Sequence, residues 1–406
     1  MRIDSGETHD MRTYTFHDAT ERTYSTGHNI LDYREDPGLG RESNATILVK
    51  WTNQTYHDEN LRAMFTPNWD AVAGISRTNS WRHRNRYYAG LIVKTSLGVD
   101  CLDEKNAETS HSMSQPTGID SRKDGLTAYA CADKILFSPT GEPDNLISEI
   151  SHPTFARLHS VEFNQQGDRV LTSSSSLDLI HEVDLDGNIT WTLDLWRDTP
   201  FNTNVLGQKF FRSKAAVGGM SIVAHNPSVV ALKDDEKLKD AVCVLDDPAT
   251  YDGLGLSTNL TPVFINTAAY GNNGEVLTTS FHRGEAWVIN RSLGQIAIAA
   301  KAMRNPHGFH LDPFLDGYMV TDTGNERLSF MSSDLEEERT IDFSTLDDRK
   351  PGLEKARWLQ YVTRLDEALY CAVISPRQKI TLFDPARKVR RDIPFDPEWG
   401  IQLVAP

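Results

Sequence analysis

Asn305-Pro306-His307-Gly308-Phe309-His310-Leu311-Asp312, running on into Gly317-Tyr318-Met319-Val320-Thr321-Asp322-Thr323-Gly324-Asn325-Glu326-Arg327-Leu328-Ser329-Phe330-Met331, is the stretch that decides the fold. A short apolar strand starts at the histidines and a tight turn reverses it. A second strand ends at Asp322, and a third carries Leu328 to Met331. Such runs bounded by Gly, Asp, Asn and Pro turns are hairpins of antiparallel sheet.

The same grammar recurs. Gln115-Pro116-Thr117-Gly118-Ile119-Asp120 mirrors the entry at Asn305. His159 to Phe163 leads through Gly167 to Val170-Leu171-Thr172-Ser173-Ser174 and then to Leu179 to Asp184. Asn266 to Tyr270 leads through Gly274 to Val276-Leu277-Thr278-Thr279-Ser280 and then to Ala286 to Asn290, and a weaker copy starts near Trp358. Equivalent phases at 117, 159, 266, 307 and about 358 are separated by 42, 107, 41 and about 51 residues. A step of roughly 40 to 50 residues with four short strands per unit is a propeller blade. The long step holds a degenerate blade, an insertion, or both, and Asp234 to Val242 within it reads as helical. The expectation is an all-β chain: a single β-propeller of six (alternatively seven) four-stranded blades over residues 46–406. It carries a helical or loop insertion at about 195–262, after a polar N-terminal extension over 1–45 that is either a disordered lead or a strand closing the ring.

Bulk properties narrow the function. The chain has 406 residues, 39% hydrophobic content and a formal net charge of -15. The acidity excludes nucleic acid and anionic membrane as partners, since both need a basic face. No run of 18 apolar residues spans a bilayer and no apolar segment follows Arg2, so a cytoplasmic location is expected. Cys101, Cys131, Cys243 and Cys371 lack metal-finger spacing and read as reduced thiols. The basic-aromatic run Trp81 to Tyr87 is a solvated turn or a cationic lid over an anionic ligand.

In a propeller the first strand of each blade lines the axis, and its start points to one mouth. Thr117, His159, Asn266 and His307 share that phase, and the second-strand exits (Ser174 to Ser176, Ser280 to His282, Asp322 to Gly324) form a second ring. The repeat therefore converges His159, His282, His307, His310, Asn266, Asp322 and Arg327 on one funnel, while His181 is expected at the outer surface. Imidazoles there serve as acid, base, nucleophile or metal ligand. Tyr270 joins Asn266, Asp322 and His225 as candidate substrate-binding residues. No phosphate loop, nucleophile elbow or HExxH motif is present.

The runs His159-Ser-Val-Glu-Phe…Val183-Asp-Leu-Asp-Gly-Asn-Ile-Thr-Trp191, Ile265-Asn266-Thr267…Ser280-Phe-His282 and His307-Gly-Phe-His310…Thr321-Asp-Thr-Gly-Asn325 resemble the arylsulfotransferase-like, NHL-like β-propeller superfamily over about residues 115–385. The resemblance implies transfer of a sulfuryl group through a funnel histidine. His282 or His307 is then the nucleophile, with His159, His310 and Arg327 around the transferring group. The expected function is thus an enzyme with a His-rich funnel acting on a small, possibly aromatic molecule, transferase-like in its sharpest form. One alternative is a propeller lyase or hydrolase with a divalent ion (calcium, magnesium or zinc) held by His159, His307, Asn266 and Asp322. The other is a non-catalytic propeller that binds a ligand or protein. The expected partner is a small-molecule substrate, and the chain a monomer or weak oligomer.

Overall fold

A computed structural model describes residues 14–17, 27–52, 89–204, 209–213, 220–222, 229–232, 241–245, 261–312 and 314–406. Six antiparallel sheets stand around one axis, so the chain is a six-bladed β-propeller. Blade I runs from Gly118–Ser121 at the axis outward to Ser148–Ser151, and blade II from Leu158–Phe163 to Ile189–Asp194. Blades III, IV and V begin at Ile265–Tyr270, His307–Leu311 and Leu359–Arg364. Blade VI is made from both halves of the chain. Gly400–Ala405 is its axial strand and pairs antiparallel with Asn44–Trp51, which continues into Ala89–Ser96 and Ala107–Ser114.

Three short strands before Asn44 lie on the outside of the ring. Thr15–His17, Gly27–Asn29 and Arg34–Glu35 pair parallel with the outermost strands of blades III, IV and V in turn. The 107-residue step contains a separate four-stranded sheet, ordered Lys209–Ser213, Ala241–Leu245, Val229–Leu232, Met220–Ile222. It is not a seventh blade. The Ala268 amide donates to Ser160 Oγ at 2.9 Å, so the axial strands of blades II and III are direct neighbours and the inserted sheet lies outside the ring. Of the expected helix at 234–242, Ala241 and Val242 belong to a strand, and the rest falls outside the described residues. Among the described residues no helix is long and apolar enough to cross a membrane.

Second strands are packed on both faces, which is why Val276-Leu277-Thr278-Thr279-Ser280 is buried throughout and reads as a continuous run. An apolar cluster fills each gap between neighbouring blades, for example Met319, Leu328, Phe330, Val362 and Tyr370 between IV and V. Burial at this scale supplies most of the stabilisation, at about 25 cal/mol per Å² of apolar surface removed from water.

Axial strands present an edge with no sheet partner, so side chains of adjacent blades must satisfy their polar groups. Thr117 Oγ1 donates to the Leu158 carbonyl, Thr267 Oγ1 accepts from the Gly308 amide at 2.9 Å, and Asn266 Nδ2 donates to the Pro306 carbonyl at 3.0 Å. Asp120 Oδ2 accepts from the Phe163 amide at 2.7 Å, and Glu162 Oε1 from the Tyr270 amide at 3.3 Å. Burial pushes the Asp120 carboxyl from 3.8 to about 6. Burial, and then the nearby Asp120, push Glu162 from 4.5 to about 8.

A second set of stitches sits where the second strand turns into the third. Asp178, Glu326 and Gln378 occupy equivalent left-handed positions with φ of 52°, 52° and 56°, and each reaches into the next blade. Asp178 accepts from the amides of Val263 at 3.0 Å and Phe264 at 2.6 Å and from Trp196 Nε1 at 2.8 Å. Glu326 accepts from the Trp358 amide and from Arg349, and Gln378 donates to the carbonyls of Asp396 and Trp399. A left-handed residue that is not glycine costs about 1 kcal/mol, and the side chain's bonds outweigh that cost.

Two outcomes follow from these stitches. Asp178→Ala removes the acceptor that three buried donors share and is expected to lose about 3 kcal/mol in a denaturant titration. Asp178→Gly, which relieves the left-handed backbone, should lose about 1 kcal/mol less. Because the folded-state pKa of Glu162 is raised, the stability tied to its protonated form is complete below pH 4.5 and drains away as pH rises to about 8. The melting advantage of Glu162→Gln over the parent should therefore widen across that window, and a constant difference would contradict the raised pKa.

Candidate functional site

Four blade entries repeat one backbone device. Gln115, Arg157, Phe264 and Asn305 are left-handed, with φ between 44° and 53°, and each stands two residues before Thr117, His159, Asn266 or His307. At the two histidine entries the kinked residue's carbonyl meets the side chain two positions on. His159 Nδ1 lies 2.8 Å from the Arg157 carbonyl and His307 Nδ1 lies 3.1 Å from the Asn305 carbonyl, with Thr323 Oγ1 a second partner at 2.8 Å. A carbonyl oxygen only accepts, so at His159 the proton is on Nδ1 and Nε2 carries the lone pair. Gln360 and Gln402 extend the polar entry ring through blades V and VI, joined at 3.2 Å and anchored by Trp358 Nε1 on Gln360.

Lys50, at the end of the second strand of blade VI, brings its Nζ to 3.2 Å from His159 Nε2. Burial and then the positive charge of Arg157 pull the Lys50 ammonium from 10.5 down to about 7. Burial, followed by the Lys50 charge, holds His159 well below its ordinary value, and His307 and Arg157 push the same way. His159 is therefore a neutral imidazole whose Nε2 faces an amine that titrates near neutrality.

An aromatic wall connects the two imidazoles. Phe264 meets His159 edge-on at 5.3 Å and Phe281 at 5.6 Å. Phe281 meets His307 at 5.8 Å, and Trp358 closes the series at 5.6 Å from His307. His282 stands at right angles to Phe281 at 5.2 Å, its backbone held by the Val263 carbonyl. Asn266, only 3% exposed, spends its amide nitrogen on Pro306, while its Oδ1 is buried without a hydrogen-bond partner. An acceptor left so costs about 1–3 kcal/mol, which a donor on a bound molecule offsets.

The structure thus brings His159, His282, His307 and Asn266 to one mouth. Asp322 stands at the same entry, next to the Thr323 that meets His307. His310 is deeper along the axial strand, stacked on Tyr361 with ring planes 6° apart, and burial lowers it to about 4. Gly308 makes that stack possible, because a Cβ there would meet the Tyr361 ring at 2.8 Å. Asp322 spends its carboxylate on the Arg304 amide and Asn325 Nδ2, and Arg327 lies beside it at the start of the third strand. Tyr270 directs its hydroxyl to the buried Glu182 at 3.0 Å, which also pairs with Arg169 and Arg291 at the blade's outer side. His181 is buried between Thr154 and Thr192 rather than at the surface. His225 and the run Trp81 to Tyr87 lie outside the described residues. Among the described residues no group of three or more His, Cys, Asp or Glu side chains is placed to hold a metal ion.

Sequence reasoning missed Lys50, Arg157 and the wall of Phe264, Phe281 and Trp358. Lys50 arrives from the far end of the chain by way of the shared blade. Arg157 and Phe264 stand two residues before the phase that aligned the histidines, where nothing in the periodicity marks them, and Trp358 is read there only as the start of the weak fifth copy.

No family model matches the chain, and no curated protein matches it. Among solved structures, the chain is similar to virginiamycin B lyase from Staphylococcus aureus, with 14% identity, a TM-score of 0.38, and 69% of this chain and 88% of that one covered. It is similar to a chain of a nidogen/laminin complex, with 10% identity, a TM-score of 0.46, and 89% and 98% covered. It is similar as well to a β-propeller domain from Myceliophteria thermophila, with 13% identity, a TM-score of 0.37, and 68% and 85% covered.

Proposed function

We propose that the mouth lined by Lys50, His159, Asn266 and His307 is the active site of an enzyme acting by proton transfer on a small molecule with an aromatic body. The observation that carries this is the pinned imidazole of His159, its Nε2 lone pair 3.2 Å from the Lys50 amine. The Lys50 amine, which titrates near 7, is poised to give or take a proton at neutral pH, and the neutral His159 imidazole presents it with a proton acceptor. Phe264, Phe281 and Trp358 set apolar rings, packed edge to face, beside the imidazoles, and the vacant acceptor of Asn266 offers a fixed polar contact. Sulfuryl transfer through His307 or His282 has less support than the acid–base reading. Arg327 stands beside Asp322, and the cations near His159 are Lys50 and Arg157.

The test is turnover or solvent-deuterium incorporation in a panel of small aromatic metabolites, read by mass spectrometry. The parent chain is expected to process at least one. His159→Gln and His307→Gln should each cut that rate by about 10²–10⁴-fold while melting within a few degrees of the parent. Rates unchanged in both variants would remove the acid–base role. Binding of panel members with no chemistry in the parent would leave a ligand-binding propeller.

A further inference from the structure

We infer that Lys50 is a nucleophile of this mouth and that the substrates it takes are small carbonyl compounds, aldehydes or ketones, with an aromatic body. The inference rests on reading the mouth as an active site and adds the chemistry of the substrate.

Three features of position carry it. Lys50 sits one residue from the end of a strand, and its Nζ turns inward to a histidine of blade II instead of out to water. A lysine at a strand end ordinarily snorkels, keeping its ammonium solvated. Second, the Arg157 carbonyl fixes the proton of His159 on Nδ1, so the atom meeting the amine is a proton acceptor. Third, the Phe264 ring packs against the His159 ring at 5.3 Å, so the imidazole that meets the amine is backed by an apolar group. The positive charge acting on Lys50 is that of Arg157, and it works with burial against the protonated amine.

The step balances without an oxidant or reductant. The Lys50 nitrogen lone pair attacks the carbonyl carbon, and the C=O π pair moves onto oxygen. His159 Nε2 carries one proton from the new ammonium to the alkoxide, giving a neutral carbinolamine, and then carries the second nitrogen proton to that hydroxyl, which leaves as water while the C=N bond forms. Amine and carbonyl give imine and one water. Protonated, that imine draws electrons from the adjacent bond of the substrate.

The experiment treats the full chain at pH 7 with 4-carboxybenzaldehyde and sodium cyanoborohydride, followed by intact mass and peptide mapping. One adduct is expected, on Lys50, forming about 10²–10³-fold faster than on the other lysines, in proportion to the unprotonated amine each holds. Lys50→Arg should lose that adduct, and His159→Gln should slow it about tenfold or more, both melting as the parent does. Adducts spread evenly over surface lysines, or unchanged in Lys50→Arg, would overturn the inference. Benzoate, which cannot form an imine, separates the two readings through its effect on Trp358 fluorescence, with Trp358→Phe as the reference. If benzoate binds and Lys50 stays unmodified, the carbonyl inference falls and the mouth as a binding site survives. If benzoate does not bind and no adduct forms, both fall.

Discussion

Everything in this propeller depends on the axial strand of each blade having only one sheet neighbour. Its second edge faces the hub, where a polar backbone group must find a partner or remain costly. The chain meets that constraint with side chains. Thr117, Asn266, Thr267, Asp120 and Glu162 each bond the backbone of the following blade. The ring is thus held by two kinds of force: apolar clusters between the sheets, and a belt of directional bonds near the axis.

That belt explains why the mouth is polar and yet largely closed to water. Positions that start the axial strands are occupied by Thr, His, Asn, His and Gln because their first duty is to reach a neighbour or a kinked carbonyl. Two of them are imidazoles, and enclosing an imidazole beside an amine makes both bases weaker. The histidine geometry is inseparable from the left-handed residue two positions earlier, whose carbonyl selects the tautomer. Architecture and candidate chemistry share the same atoms.

The blade pattern was legible because hairpin turns and buried second strands leave period-two and apolar signatures, as in Val276 to Ser280. The shared phase of Thr117, His159, Asn266 and His307 was legible for the same reason, since the left-handed entry recurs ahead of all four. What could not be read is what depends on crossing between blades. Tyr361 lies over the hub only because Gly308 of another blade leaves room, and His310 follows it away from the entry. Asp322 does lie at the blade entry beside His307, but its carboxylate is spent on the Arg304 amide and on Asn325, a use that no sequence pattern marks. Asp178, Glu326 and Gln378 occupy turn positions that no periodicity marks, although each links two blades.

The composite sixth blade has a consequence for synthesis. Asn44–Trp51 and its two partners emerge from the ribosome early, but the strand that completes them, Gly400–Ala405, is translated some 350 residues later. The perimeter strands Thr15–His17 through Arg34–Glu35 likewise precede the blades they edge. A nascent chain therefore carries an unfinished sheet with an open margin through most of its translation, and pairing across such separations is slow. Ring closure is a late, all-or-nothing event, and truncation before residue 400 removes a hub strand instead of shortening an end.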